Sequence, residues 1–273
     1  MTVFQKVIKY LAVALALFLT VSIISGIFSI VGLFGTNVVG ETAIGDMKTY
    51  SIASEIYDLD IEVNAADLCI KTGESFVIES NLKHLKIEEK DGRLLITDLV
   101  KNNFFGINTY KNAVLTIYIP AEVSFDRVDF LTGAGRLTVD RISAQAVNFV
   151  LGAGEASIGT LIAEKSAEIE GGAGRITISG GSLRNLEMDM GVGELNLTSA
   201  LCGDCSLDMG IGKSNITLIG SSEDYRLDIE KGIGSVTVDG KPATDSDAGA
   251  DASNRVEING GIGAINVIFE EAE

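Results

Sequence analysis

Apolar and polar residues alternate in short bursts along most of this chain. Ile56-Tyr-Asp-Leu-Asp-Ile-Glu-Val is the first clear burst, and Arg255-Val-Glu-Ile-Asn is one of the last. Period-two alternation over four to eight residues marks a half-buried strand. From residue 128 the bursts come in pairs around a repeated Gly-x-Gly. Its copies begin at Gly133, Gly152, Gly172, Gly191, Gly210, Gly232 and Gly261, with spacings of 19, 20, 19, 19, 22 and 29 residues. A near-constant period of about twenty residues is the mark of a stacked repeat. Five and three positions before the first glycine are apolar, as in Val128 and Phe130 or Leu186 and Met188. Four and six positions after it are mostly apolar, as in Leu137 and Val139 or Leu195 and Leu197. Each coil therefore reads as two short strands joined through a corner that a Cβ would obstruct. Successive coils then pair as parallel strands about 4.8 Å apart. The expected fold is all-β, a right-handed parallel β-solenoid with an N-terminal transmembrane helix. An antiparallel sandwich or β-roll is the alternative.

The repeat is expected to start early. Leu59-Asp-Ile-Glu-Val-Asn-Ala-Ala-Asp-Leu-Cys-Ile superposes on Leu227-Asp-Ile-Glu-Lys-Gly-Ile-Gly-Ser-Val-Thr-Val, with Asn64 in the place of the first glycine. Asparagine is the non-glycine residue that best tolerates positive φ. Residues 75–119 interrupt the series with strand patterns of their own, two of them joined by an Asp91-Gly92 hairpin signal. This excursion reads as a cap on the stack, and Phe104 and Phe105 in its polar loop read as a cover for the open core. The expected divisions are a tip and membrane segment at 1–40 and a stalk at 41–55. A degenerate first coil with the excursion then occupies 56–127, and the regular repeat occupies 128–273, with an acidic, turn-rich loop at 240–254.

Patterning at the N-terminus is of another kind. No charged residue follows Lys9 until Glu41, and the apolar run from Tyr10 to Phe34 exceeds twenty residues. That length crosses a hydrocarbon core of about 30 Å. A cleaved signal peptide has a shorter apolar run and a small-x-small site, so the run reads as an uncleaved anchor. Lys6 and Lys9 before it place residues after 40 outside a single-pass cell membrane.

Charge changes the picture further. The net charge is −17, and beyond residue 40 there are 19 basic and 38 acidic residues. Such a body is repelled by nucleic acid and anionic lipid. His84 is the lone histidine, so no His-based triad or metal site is expected beyond it. The Gly-x-Gly copies are not a nucleotide loop, because a strand rather than a helix follows each. No cofactor is expected. Cys202-Gly-Asp-Cys205 lacks a βαβ context, and it reads as a buried thiol or a local disulfide rather than a redox site.

Stacking turns each repeat position into a column. Arg136, Glu155, Arg175, Glu194 and Lys213 alternate in sign, and Thr138, Ser157, Thr177, Asn196, Asn215, Thr237 and Asn266 form a polar ladder. Both support register. Glu170, Asp189, Asp208 and Glu230 line a second face, with Asp129, Glu168, Glu187, Asp228 and Glu257 beside them. Like charges at strand spacing repel. The plain reading is a solvated acidic face. The sharper one is a row that collects divalent cations such as Ca²⁺, or a cationic partner.

These Gly-x-Gly-x-apolar-x-apolar repeats, with Leu115-Thr-Ile-Tyr-Ile-Pro120 before them and Ile258-Asn-Gly-Gly-Ile-Gly-Ala-Ile-Asn-Val at the close, resemble the putative-adhesin β-strand-repeat family of bacterial cell-envelope proteins, a domain of unknown function. The resemblance covers about residues 50–270 and implies architecture rather than chemistry. It implies a non-enzymatic, adhesin-like binding or scaffolding module, with an envelope protein or cell-surface ligand as partner besides the membrane. An accessory role in a cell-envelope stress-sensing system and a carbohydrate-active β-helix enzyme are the alternative readings.

Overall fold

Buried and exposed residues alternate along the strands of the computed structural model, which describes residues 44–98, 112–243 and 252–271. These lie in one compact unit, 42–101 with 109–273; the second unit, Met1–Glu41 with Asn102–Asn108, lies outside the described residues. The described chain is all-β, with one short 3-10 turn at Ser222–Asp224. The strands are β1 (Ile44–Ser51), β2 (Asp58–Val63), β3 (Asp67–Gly73), β4 (Val77–Leu82), β5 (Leu85–Lys90), β6 (Arg93–Asp98), β7 (Val114–Pro120) and β8 (Phe125–Ile178). They continue as β9 (Gly181–Arg184), β10 (Leu186–Cys202), β11 (Asp204–Ile219), β12 (Tyr225–Glu230), β13 (Ile233–Val238), β14 (Lys241–Pro242), β15 (Asn254–Asn259) and β16 (Ile262–Glu270). All sixteen join one open sheet.

Parallel pairing keeps each repeat position over its equivalent. Met188 lies between Ile169 and Leu207, and Leu195 lies between Ile176 and Ser214. The inward columns therefore merge into one core, in which Leu59, Phe149, Ile169, Leu207 and Ile258 are fully buried. Each such side chain contributes about 1.5–3 kcal/mol through removal of apolar area from water. Phe130 and Phe149 stack directly, with centroids 4.5 Å apart and planes 4° from parallel.

The second glycine of each corner carries the turn. Gly135, Gly154, Gly174, Gly193, Gly212, Gly234 and Gly263 have φ between 140° and 150°. A Cβ on Gly212 would stand 1.7 Å from the Gly193 carbonyl oxygen. Asn64, at the first-glycine position, is not among the residues with positive φ, so the left-handed role expected of it is corrected. The conformational demand falls on the second glycine, where the first coil carries Ala66. The first glycine instead answers close packing: a Cβ on Gly133 would meet the Asn64 oxygen at 2.3 Å.

Three features depart from the two-strand coil. First, a third wall exists. Ile142, Ala144, Leu161, Ala163, Leu183 and Leu201 are buried there, and Leu183 pairs Ala163 on one side and Leu201 on the other. Tyr225 closes this wall: its hydroxyl donates to the Ile219 carbonyl at 2.6 Å and accepts from the Leu201 amide at 3.3 Å. Second, within the segment read as a stalk, β1 pairs antiparallel with β4, and Ile44, Tyr50 and Ile52 pack on the core. The excursion layers onto β2 and β3 through β6 and β7, and β5–β6 turn tightly at Asp91 (φ 52°) and Gly92 (φ 79°). Third, the last coil is inserted. β15 and β16 pair β11 on one side and β12 and β13 on the other, all in parallel. The spatial order of first glycines is thus 210, 261, 232. The segment after Asp239 carries the chain back between two coils already passed; its residues 244–251 lie outside the described residues.

The expected single-pass cell-membrane location is corrected. Among the described residues no helix is long and apolar enough to cross a membrane. The apolar run at 10–34 on which that expectation stood, and the Phe104–Phe105 cover, lie outside the described residues.

Candidate functional site: an acidic row beside an aliphatic corner ladder

Strand parity decides which side chains face out. Residues two and four before each first glycine alternate with the buried columns, so they form two outward rows on one wall. Glu170, Asp189 and Asp208 stand on successive rungs, with Glu168 and Glu187 paired beside them. Glu230 is not next in line. Asn259 separates it from Asp208, because the inserted coil occupies that rung. The expected run of four consecutive carboxylates is therefore three carboxylates, an amide, then Glu230.

Arginines neutralise the ends of this wall. Arg127 grips Asp129 with two bonds, at 2.6 and 2.7 Å, and Arg93 pairs Asp60. Arg255 bridges Asp228 at 2.6 Å and Glu257 at 3.1 Å. Its hydrogen bond is the main reason the Asp228 carboxyl lies below the usual aspartate range. Among the described residues, no ion pair includes Glu168, Glu170, Glu187, Asp189 or Asp208. Partial burial raises the Asp189 carboxyl above its ordinary range, and the charges of Asp208 and Glu187 add to that. The five carboxylates form rows, not a cage: among the described residues no three His, Cys, Asp or Glu side chains gather to hold a metal ion.

The corner beside this wall carries an aliphatic ladder. The middle residue of Gly-x-Gly has no inward direction at the turn. In spatial order these residues are Ala134, Ala153, Ala173, Val192, Ile211, Ile262 and Ile233. Register places Val192 on Ile211, Ile211 on Ile262, and Ile262 on Ile233. Val192 is 51% exposed, Ile211 41% and Ile233 48%, and Ile262 is half-buried between its neighbours. Behind the ladder the corner leaves a small space, lined by buried Leu195, Met209, Val236 and Ile265 among others. The sequence did hold a signal for the ladder: the middle letter changes from Ala to Val and then Ile along the repeats.

On the far side of the corner, charges alternate. Arg175 contacts Glu155 at 3.4 Å and Glu194 at 3.0 Å, and Arg136 reaches Asp67 at 3.7 Å and Glu155 at 4.0 Å. The Arg175 hydrogen bond lowers the Glu194 carboxyl. Next to it, Asn215 donates to Asn196 and Thr237 to Asn266, each at 2.8 Å. These columns fasten neighbouring rungs, as their sequence pattern implied. Cys202 and Cys205 are free thiols. Cys205 is buried, and its sulfur accepts from the Leu186 amide at 3.4 Å while burial raises its pKa.

No curated protein sequence matches the chain. It is similar to the crystal structure of a "putative cell adhesion protein" from Clostridium sporogenes, at 14% identity over 82% of this chain and 99% of that one, with a TM-score of 0.33. It is also similar to a "putative adhesin" from Bacteroides fragilis, at 13% identity over 84% and 100%, with a TM-score of 0.31. A "putative adhesin" from Parabacteroides distasonis is 10% identical over 85% and 98%, with a TM-score of 0.33. The profile of the Toastrack domain of unknown function DUF4097 matches residues 56–258, from the first coil into the last, and the chain belongs to the Toastrack DUF4097 family.

Proposed function

We propose that this chain is a non-enzymatic, adhesin-like binding or scaffolding module whose partner is an envelope protein or a cell-surface ligand. One observation carries the reading: outward columns held in register across successive coils. Val192, Ile211, Ile262 and Ile233 on one edge, and Glu170, Asp189 and Asp208 on the next wall, repeat at the strand spacing of about 4.8 Å. Such a surface offers many weak, equivalent contacts along one line rather than one enclosed pocket. Many shallow contacts on a rigid frame suit adhesion, where combined engagement multiplies modest affinities. The cross-strand ion pairs and amide ladders keep that frame rigid.

The test is attachment. Beads coated with the full chain are mixed with intact bacterial cells and with isolated envelopes, and retention is counted. Saturable retention that soluble chain competes away is the expected result. Retention no greater than that of beads coated with heat-unfolded chain contradicts the proposal.

A further inference from the structure

We propose that the corner ladder and the unneutralised acidic rows together form a docking surface for a basic amphipathic helix of a partner protein. The inference rests on the binding-module reading and names the chemistry of its partner. Val192, Ile211, Ile262 and Ile233 form a continuous aliphatic line, exposed at Val192, Ile211 and Ile233 and half-buried at Ile262. Their rungs repeat at about 4.8 Å, close to the helical pitch of about 5.4 Å. A helix laid along the corner can therefore set one apolar residue near each rung for about three turns.

Charge complementarity fixes the sign of the occupant. Asp189 and Asp208 precede Val192 and Ile211 by three residues, which is about 10 Å of strand. That matches the width of a helix, about 10–12 Å with its side chains. Basic residues on the near flank then face Glu187, Asp189 and Asp208 while the apolar stripe lies on the ladder. The arginines that neutralise this wall at Asp129, Asp228 and Glu257 have no counterpart on these rungs. A partner cation supplies there what Arg127 and Arg255 supply elsewhere. A second copy of the chain is disfavoured, since its acidic face and net charge of −17 carry the same sign. Anionic lipid and nucleic acid are repelled for the same reason.

The test uses the full chain and a fluorescein-labelled 18-residue Leu/Lys peptide with its leucines on one helical face. Anisotropy titrations at low salt compare wild type with I211S/I262S, V192S/I233S and D189N/D208N. Circular dichroism confirms that each variant is folded, as expected for changes that lie outside the buried core. Each pair of substitutions is expected to weaken binding at least about tenfold. A scrambled peptide of the same composition is expected to bind at least tenfold more weakly than the ordered one. Equal binding of the two peptides, or no loss in either ladder variant, overturns the inference, because charge alone would then explain the affinity. No binding of the ordered peptide to wild type also overturns it.

The bead assay separates this inference from the broader reading. Undiminished attachment by I211S/I262S beads, with peptide affinity unchanged, overturns the docking surface and leaves adhesion standing. Peptide binding that needs the ladder, without bead attachment, supports the docking surface and overturns adhesion.

Discussion

Replacing Gly212 by alanine tests the corner geometry most sharply. Gly212 has φ 147°, and a Cβ there would lie 1.7 Å from the Gly193 oxygen and 2.8 Å from its carbon. Two costs combine. A side chain in this glycine-only region of backbone space costs about 1–3 kcal/mol. Relieving the overlap by moving one coil against the next costs a further ~1–3 kcal/mol, by analogy with overpacked cores. The expected destabilisation is about 4 kcal/mol, or roughly 10 °C in melting temperature for a domain of this size. Two controls divide the effect. Gly240 has φ 73° and open space around its would-be Cβ, so G240A isolates left-handed strain of about 1–2 kcal/mol. Gly180 has no positive φ, and its nearest contact would be 3.6 Å away, so G180A changes stability by less than about 1 kcal/mol. Urea and thermal midpoints of the three variants give the ranking. If G212A costs no more than G240A, backbone contact between corners does not govern the stack.

Other consequences follow from the same geometry. Phe149→Ala removes one half of the stacked Phe130–Phe149 pair from a fully buried site and is expected to cost about 3–5 kcal/mol, read from the urea midpoint. The Asp189 carboxyl is raised on folding, so the folded state holds its proton more tightly. Stability from Asp189 is present below its unfolded value, about 3.9, and is lost as pH rises through the raised folded value. D189N should therefore be at least as stable as wild type at pH 7 and lack this decline; a loss at pH 7 contradicts the repulsion argument. Asp228 is lowered, so its contribution is present above its unfolded value and is lost as pH falls through the folded one. D228N should lower the melting temperature at pH 7 and converge with wild type in strong acid. In native-state alkylation, buried Cys205 is expected to react far more slowly than half-buried Cys202; equal rates would mean the coil opens locally.

The sequence made the coil readable because one position repeats one physical demand. Val128 and Phe130, or Leu195 and Leu197, must face inward, and parity then sends Arg175 and Glu194 outward as a pair. The third wall was harder to see because it is short. Leu183 stands alone between Ser182 and Arg184, and Leu201 stands between Ala200 and Cys202, so neither belongs to an alternating run that carries a period. β1 was hidden for a similar reason: Ile44-Gly-Asp-Met-Lys-Thr-Tyr-Ser has few inward anchors, and it is the pairing with β4 that orders it. The inserted coil could not be read at all. Leu227-Asp-Ile-Glu and Val256-Glu-Ile-Asn fit either rung equally well, and local pattern does not fix the order of like elements. That order matters for the candidate site, because it sets Asn259 between Asp208 and Glu230 and sets Ile262 between Ile211 and Ile233. The ladder, for its part, was written plainly in the middle letter of Gly-x-Gly, but exposure at a corner is a property of the fold.

The most direct measurement is a cross-link across the inserted coil. With Cys69, Cys202 and Cys205 replaced by alanine, two double variants are compared, N215C/N266C and N215C/T237C. Asn215 pairs directly with Asn266, and Thr237 lies one rung beyond. Adjacent rungs are about 4.8 Å apart, within the reach of a disulfide, whose Cα separation is about 4.4–6.8 Å. The second pair stands about 9.6 Å apart by the same spacing. Rapid oxidation of N215C/N266C, with little of N215C/T237C, is the expected result. The reverse would place the coils in sequence order, set Ile233 rather than Ile262 beside Ile211 and Glu230 rather than Asn259 beside Asp208, and contradict the account.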